Sequence, residues 1–267
     1  MDLGLTGKSA IVTGASMGIG RAIALELARE GAGVLVAARG REGVDAAVAE
    51  IVAQGGAAIG VAADMAEAGA AEMLVEQARA RFGKVDILVC SAGGMCRHAG
   101  FDELSDQDFL DAYVDNVLSV VRLVRAALPG MRERRWGRII TIASEVATQP
   151  DRTFNHYAAA KAAELNLTKS LSKALARDGI LVNAVAPGLI ATPGNEASFA
   201  EGARKQGRPI AEVKADFIGK FKPGLALGRA GEAEEVAAVV AFLASERASY
   251  VTGANFRVDG GSVIGIN

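Results

Sequence analysis

The feature that most constrains this chain is a regular alternation of short, unbroken apolar runs with longer segments of helical periodicity. The runs at 9–13, 33–38, 57–62, 86–90, 138–143, 181–186 and 255–258 are mostly β-branched and aliphatic. Strands buried on both faces of a parallel sheet read this way. Helical patterns lie near 19–30, 42–54, 67–82, 106–134, 155–178 and 232–245. Such alternation predicts a doubly wound α/β fold, with helices on both faces of the sheet. Right-handed crossovers then bring every strand carboxyl end, and with them the ligand crevice, to one edge. No linker, repeat or low-complexity tract interrupts the 267 residues, so a single domain over 1–267 is expected.

Composition narrows the use of such a fold. There are 32 glycines but only 9 Phe, 3 Tyr and 1 Trp, so the core must be built from aliphatic side chains with many close backbone approaches. A formal net charge of -2 provides no basic field for nucleic acid. The longest uncharged apolar stretches, such as 236–244, fall well short of the ~18 residues that span a membrane. The start, Met1-Asp2-Leu3-Gly4, has neither a basic region nor an apolar run of the kind that opens a secretory leader. Cys90 and Cys96 fit neither a disulfide framework nor a zinc pattern, and no metal site is expected. A cytoplasmic protein is the expectation.

The first strand runs into Thr13-Gly14-Ala15-Ser16-Met17-Gly18-Ile19-Gly20 and directly into a helix. Glycines permit a sharp turn and a close ligand approach, and a helix amino terminus offers free N–H groups to a pyrophosphate. Tight strand-to-helix packing would call for the same glycines. The second strand ends Val36-Ala37-Ala38-Arg39-Gly40-Arg41. An NAD site wants a carboxylate there for the ribose hydroxyl. None is present, and Arg39 can hold a 2′-phosphate, which favours NADP(H) over NAD(H). Asp64, in Ala63-Asp64-Met65 after the third strand, suits the adenine amino group or a helix cap.

Tyr157-Ala158-Ala159-Ala160-Lys161 sets a phenol and an ammonium on one helical face. Phenol titrates near ~10, and a nearby cation lowers that value, so a tyrosine so placed can act as general acid or base. Taken alone this spacing is weak, since a surface pair reads the same way. Ser144 falls at the end of the fifth strand, where its hydroxyl can bind a carbonyl oxygen or merely shape a turn. Asn116, in Asp115-Asn116-Val117 of the long helical pattern, is a candidate buried amide.

In this order the stretch 13–20, Asp64, Ser91-Ala92-Gly93, Asn116, Ser144, Tyr157, Lys161 and Pro187-Gly188 with Thr192 resemble the short-chain dehydrogenase/reductase family over nearly the whole chain. The resemblance implies a single Rossmann-type doubly wound domain with a seven-stranded parallel sheet. It implies a catalytic tetrad of Asn116, Ser144, Tyr157 and Lys161. The tyrosine would exchange a proton with the substrate oxygen while the serine orients that oxygen. The lysine would tune the tyrosine and bind the nicotinamide ribose, and the asparagine would hold a relay water. Cofactor contacts are implied at Gly14, Ser16, Met17, Gly18, Ile19, Gly20, Arg39, Asp64, Met65, Ala92, Gly93, Tyr157, Lys161, Pro187, Gly188, Ile190 and Thr192. A homotetramer or homodimer is implied, with the two long helices pairing between subunits.

Three positions depart from the family pattern. Cys90-Ser91-Ala92-Gly93 replaces the usual Asn-Asn-Ala-Gly, so altered local stability is expected there. Met17 stands where many NADP-preferring members carry a basic residue, and Glu145 stands where a small residue usually follows the serine. The segment 194–224 is polar and poorly periodic and is expected to be an irregular substrate lid. Its six cations (Arg204, Lys205, Arg208, Lys214, Lys220, Lys222) against four anions admit an anionic substrate, and Arg97 and His98 are further pocket candidates.

The expected activity is hydride transfer between NADP(H) and a small ketone/secondary-alcohol substrate. The alternatives are a 3-oxoacyl-thioester reductase of fatty-acid or polyketide type, its carrier protein docking on Arg132, Arg134, Arg135, Lys169 and Lys173, and a non-catalytic dinucleotide-binding redox sensor.

Overall fold

A computed structural model describes residues 2–94 and 97–266. The apolar runs form β1 (Ser9–Thr13), β2 (Gly33–Ala38), β3 (Ala57–Ala62), β4 (Ile87–Cys90), β5 (Gly137–Ile142), β6 (Ile180–Pro187) and β7 (Asn255–Val258). All pair in parallel, in the order β3-β2-β1-β4-β5-β6-β7. The order reverses at β1, which pairs with β2 on one side and β4 on the other. A crevice therefore opens at the carboxyl ends of β1 and β4.

Alternate residues of each strand serve opposite cores. Ala10, Val12, Val34, Val36, Ile87 and Val89 pack with α1 (Gly18–Arg29), α2 (Arg41–Ala53) and α9 (Ala233–Ala244). Ile11, Leu35, Ala37, Leu88 and Cys90 pack with α3 (Ala70–Phe82), α5 (Ser119–Arg134) and the carboxyl end of α6 (Asn155–Leu175). Burial on both faces explains why these strands read as continuous apolar runs. No helix among the described residues is long and apolar enough to cross a membrane.

Two expectations are corrected. The helical pattern at 106–134 is not one helix. Helix α4 (Asp106–Tyr113), begun by a Ser105/Asp108 capping box, gives way to a π-helical turn at Val114–Leu118 before α5. Such single turns insert an extra residue and re-aim side chains.

The segment 194–224 is not irregular. It forms α7 (Pro193–Gln206) and α8 (Ile210–Phe221). Thr192 caps α7, Pro193 occupies its first position and Gly207, at φ 62, ends it. The two helices meet through Phe199 and Phe217, ring centroids 5.3 Å apart, with Phe221 stacked at 5.4 Å on Phe217. The cations counted in the sequence are largely neutralised here: Lys205 pairs with Glu201, Arg208 with Glu212 and Asp216, and Lys214 with Glu196.

Candidate active site

The turn after β1 lies over the switch point. A Cβ on Gly20 would stand 2.3 Å from the Gly14 carbonyl oxygen, so internal packing by itself requires glycine there. The turn nevertheless suits a pyrophosphate. Met17 is the residue before α1, its side chain is exposed, and no side chain caps the first N–H groups of the helix. Ser16 and Ile19 are half-buried beside it.

Arg39 is exposed at the end of β2 and shares a cleft with Ala62, Ala63, Asp64 and Glu67. The Asp64 carboxylate accepts from Ala66 N at 2.9 Å, closing a turn. It does not cap α3, which begins after Gly69. Met65 and Ile190 are buried in the two cores, so they can offer a ligand only backbone.

The turn after β4 is held by a residue whose role the sequence did not disclose. Thr13 Oγ1 accepts from Ser91 N at 3.1 Å and Ala92 N at 3.0 Å, tying β4 to β1 where the family's asparagines are missing. Gly93 follows with φ 135, and a Cβ on it would come within 2.5 Å of Asn116 Oδ1. On the far side, β6 ends at Pro187 and Gly188 backs onto Asp259. Thr192 then reaches the glycine turn, 3.2 Å from where a Gly18 Cβ would stand. The strand ends thus gather these segments at one sheet edge, where a doubly wound fold binds an extended dinucleotide. Cys96 lies outside the described residues.

The residues expected to react line the same edge. Ser144 follows β5, half-buried, its Oγ accepting from Val146 N at 3.4 Å, and the short helical turn after it packs on α6. Tyr157 is half-buried in the first turn of α6, and Lys161 Nζ lies 5.7 Å from its ring centroid. Lys161 is buried, donating to the Ile142 carbonyl at 2.7 Å and to Glu164 at 2.8 Å. The π-helical turn carries Asn116 fully inside, where its Nδ2 donates to Ala112 O at 2.8 Å.

Five buried side-chain polar atoms lack a partner among the described residues, and four belong to Asn116, Glu145 and His156. Asn116 is one of the four residues expected to be catalytic, and the other two adjoin Ser144 and Tyr157 in the chain. Buried polar atoms are rarely left unpaired, so their concentration here marks where a polar ligand or water belongs.

Electrostatics reinforces this edge. Burial acts to lower the Lys161 pKa, but Glu164 and Tyr157 outweigh it and hold the ammonium above its usual value. Burial pushes Glu164 up to about 7. It also pushes the Cys90 thiol well above the ordinary range, which leaves it unreactive. Glu145, buried beside Ser144, is bonded to Lys222 just beyond α8, so the end of that helix is tied to the serine segment. His98 packs edge-on to Phe154 at 4.2 Å, and burial lowers its pKa. Arg97 is drawn away to the Glu103 carbonyl at 3.1 Å.

Residues 14–263 match a family model described as enoyl-(acyl carrier protein) reductase. The 3-oxoacyl-[acyl-carrier-protein] reductase of Escherichia coli (strain K12) is 40% identical over 255 residues, 96% of this chain and 97% of that protein. The chain belongs to the short-chain dehydrogenase/reductase family. Family membership makes it an oxidoreductase acting on carbonyl and CH–OH groups. Among solved short-chain dehydrogenase/reductase structures, L-sorbose reductase from Gluconobacter frateurii, complexed with NADPH and L-sorbose, superposes with a TM-score of 0.95 at 34% identity, covering 100% of both chains. A 3-oxoacyl (acyl-carrier-protein) reductase from Agrobacterium tumefaciens C58 with NADP bound gives 0.88 at 36% identity, covering 97% of this chain and 96% of that one.

Sequence reasoning missed Thr13 as the clamp of the β4 turn and Glu164 as the partner of Lys161. A threonine closing a buried strand gives no distinctive signal, and a Lys–Glu spacing of three residues on a helix reads as a surface pair.

Proposed function

We propose that this chain is an NADP(H)-dependent reductase of ketones, working reversibly on the corresponding secondary alcohols. The observation that carries this is the gathering at one sheet edge of Arg39, with no carboxylate at the end of β2, and of Ser144, Tyr157, Lys161 and Asn116. The cofactor would lie along the crevice against Gly14, Ser16, Met17, Gly18, Ile19, Gly20, Arg39, Asp64, Met65, Ala92, Gly93, Pro187, Gly188, Ile190 and Thr192. When bound it supplies or accepts the hydride.

The protein's own groups handle the oxygen and the proton. Ser144 Oγ donates to the substrate carbonyl and fixes its orientation. Tyr157 gives its phenolic proton to that oxygen in reduction and takes it back in oxidation. The Lys161 ammonium beside the ring favours the phenolate that results. Asn116 Oδ1, buried without a partner among the described residues, is positioned to accept from a water that restores the proton. We propose one domain over 1–267, with α7 and α8 as its lid, in a cytoplasmic homotetramer or homodimer. Exposed Phe101, Leu110 and Tyr113 around α4 support association between copies of the chain.

A second reading, reduction of a 3-oxoacyl thioester, is favoured by the E. coli relative. The cations suggested for carrier docking are mostly engaged within the chain. Arg132 bonds Asp178 at 2.8 Å, Arg134 bonds Val85 O, Arg135 bonds Arg177 O and Lys169 bonds Gly253 O.

A panel of ketones, sugars and 3-oxoacyl thioesters, each tried with NADPH and NADH, tests all readings together. Cofactor binding without turnover of any member would favour the sensor. Tyr157→Phe is expected to lower kcat by 10³-fold or more, roughly the share of general acid catalysis and proton positioning, while NADPH binding stays within about threefold of wild type. Full activity in that variant refutes the mechanism.

A further inference from the structure

A Lys–Glu pair three residues apart on a helix normally sits in solvent and is worth little. In the pair formed by Lys161 and Glu164 both side chains are inside the protein, 5% and 1% exposed. Burying two charges is expensive, and an apolar side chain would fill the same space more cheaply. An ammonium has three N–H donors. Glu164 Oε2 at 2.8 Å and the Ile142 carbonyl at 2.7 Å take two, leaving one direction for the third.

The groups around the pair are few. Tyr157 shares α6 with it, the Cys90 thiol faces it from β4, and the Ile142 carbonyl faces it from β5. Behind it the Thr141 hydroxyl bonds that of Thr168 at 2.9 Å, and Thr168 donates onward to the Glu164 backbone carbonyl at 2.9 Å. Glu164 is the one carboxylate among them.

We propose that Glu164 is a positioning residue for the proton-exchanging pair, anchoring the Lys161 ammonium and offsetting the positive charge felt at the Tyr157 oxygen, so that it sets the pH range of turnover. This rests on the reading of Tyr157 and Lys161 as catalytic. The direction of the shifts agrees. Among the influences that oppose the effect of burial on Lys161, Glu164 is the largest. With its own pKa near 7, Glu164 is ionised throughout the alkaline range in which a phenol exchanges protons.

Glu164→Gln keeps the shape and the acceptor and removes the charge. Seven residues of helix separate positions 157 and 164 by about 10 Å. At an effective dielectric of ~20, one charge at that range acts by on the order of one pH unit. Two titrations read the effect: tyrosinate absorbance of the cofactor-free protein, with Tyr157→Phe subtracted, and kcat against pH for alcohol oxidation.

Both midpoints are expected to move about one unit lower in Glu164→Gln. Glu164→Leu, which also removes the acceptor, should show the same shift together with several-fold weaker NADPH binding, and it provides the pH readout should the glutamine variant not fold. Unchanged midpoints, or a move to higher pH, overturn the proposal. Turnover surviving in Tyr157→Phe overturns the catalytic reading instead. An inactive Tyr157→Phe beside a Glu164→Gln profile matching wild type overturns only the role of Glu164.

Discussion

Replacing Glu164 by glutamine should alter the pH dependence of stability as well as its level. In the unfolded chain this carboxyl titrates near its ordinary 4.5, whereas burial holds it up to about 7 in the folded protein. Between those values the unfolded state releases its proton while the folded state keeps it. The stability contributed by the protonated form is therefore complete at low pH and is lost as pH rises toward 7. The slope is about 1.4 kcal/mol per pH unit, and the whole window amounts to about 3 kcal/mol. In the wild type Lys161 adds no slope, because its pKa is raised from an ordinary value already far above the window. In Glu164→Gln burial without its partner lowers that pKa, which can only steepen the fall of the difference with pH.

Glutamine has no proton to lose. All other carboxylates titrate in both proteins and cancel in the difference. Urea unfolding followed by far-ultraviolet circular dichroism, from about pH 5 to about pH 8, measures that difference. Wild type minus Glu164→Gln is expected to fall by about 3 kcal/mol as pH rises across the window. Parallel curves, or a difference that grows with pH, would refute the reasoning, because they would mean that burial does not hold the proton on Glu164.

Two further perturbations probe the cofactor end. Arg39→Ala removes a charge-assisted contact worth about 1.5–3 kcal/mol, so NADPH should bind roughly 10- to 100-fold more weakly with NADH nearly unchanged; equal losses in a fluorescence titration would show that Arg39 does not read the phosphate. Gly20→Ala forces a Cβ to within 2.3 Å of the Gly14 carbonyl oxygen and should cost about 1–3 kcal/mol or more. Gly40→Ala, with nothing within 4 Å, meets no clash and should cost only what alanine loses to glycine as the N-cap of α2, on the order of 0.5–1 kcal/mol. Equal thermal midpoints for the two variants would remove packing as the reason for Gly20.

The strands were the most legible elements, because burial on both sheet faces writes an unbroken apolar run into each. The catalytic candidates Ser144, Tyr157 and Lys161 could be placed for a related reason: each follows a strand or opens a strongly patterned helix, so alternation alone put them at the carboxyl edge. Helix α7 escaped notice because its apolar residues are sparse, and α8 because its short apolar face (Ile210, Val213, Phe217, Ile218, Phe221) is embedded in a charged, Gly-containing stretch. Their stability depends on Phe199, Phe217 and Phe221 finding one another and on the Thr192 cap, contacts that exist only once the chain has turned back on itself. The π-helical turn at Val114–Leu118 has no glycine or proline to announce it, and the structure shows only its result, an asparagine turned fully inward.

By itself, then, the sequence determined the α/β architecture, the crevice edge and the chemistry-bearing residue types, because those depend on local periodicity and strand-to-helix junctions. The tertiary structure alone decided which polar groups lost their water. Lys161 and Glu164 have the spacing of a solvated pair, Glu145 looks in sequence like an ordinary turn residue, and Asn116 offered burial only as one of its readings. Burial by neighbouring elements turned all four into groups whose charge and hydrogen bonds are costly to leave unbalanced. That cost depends on the surrounding dielectric, which only the folded packing sets.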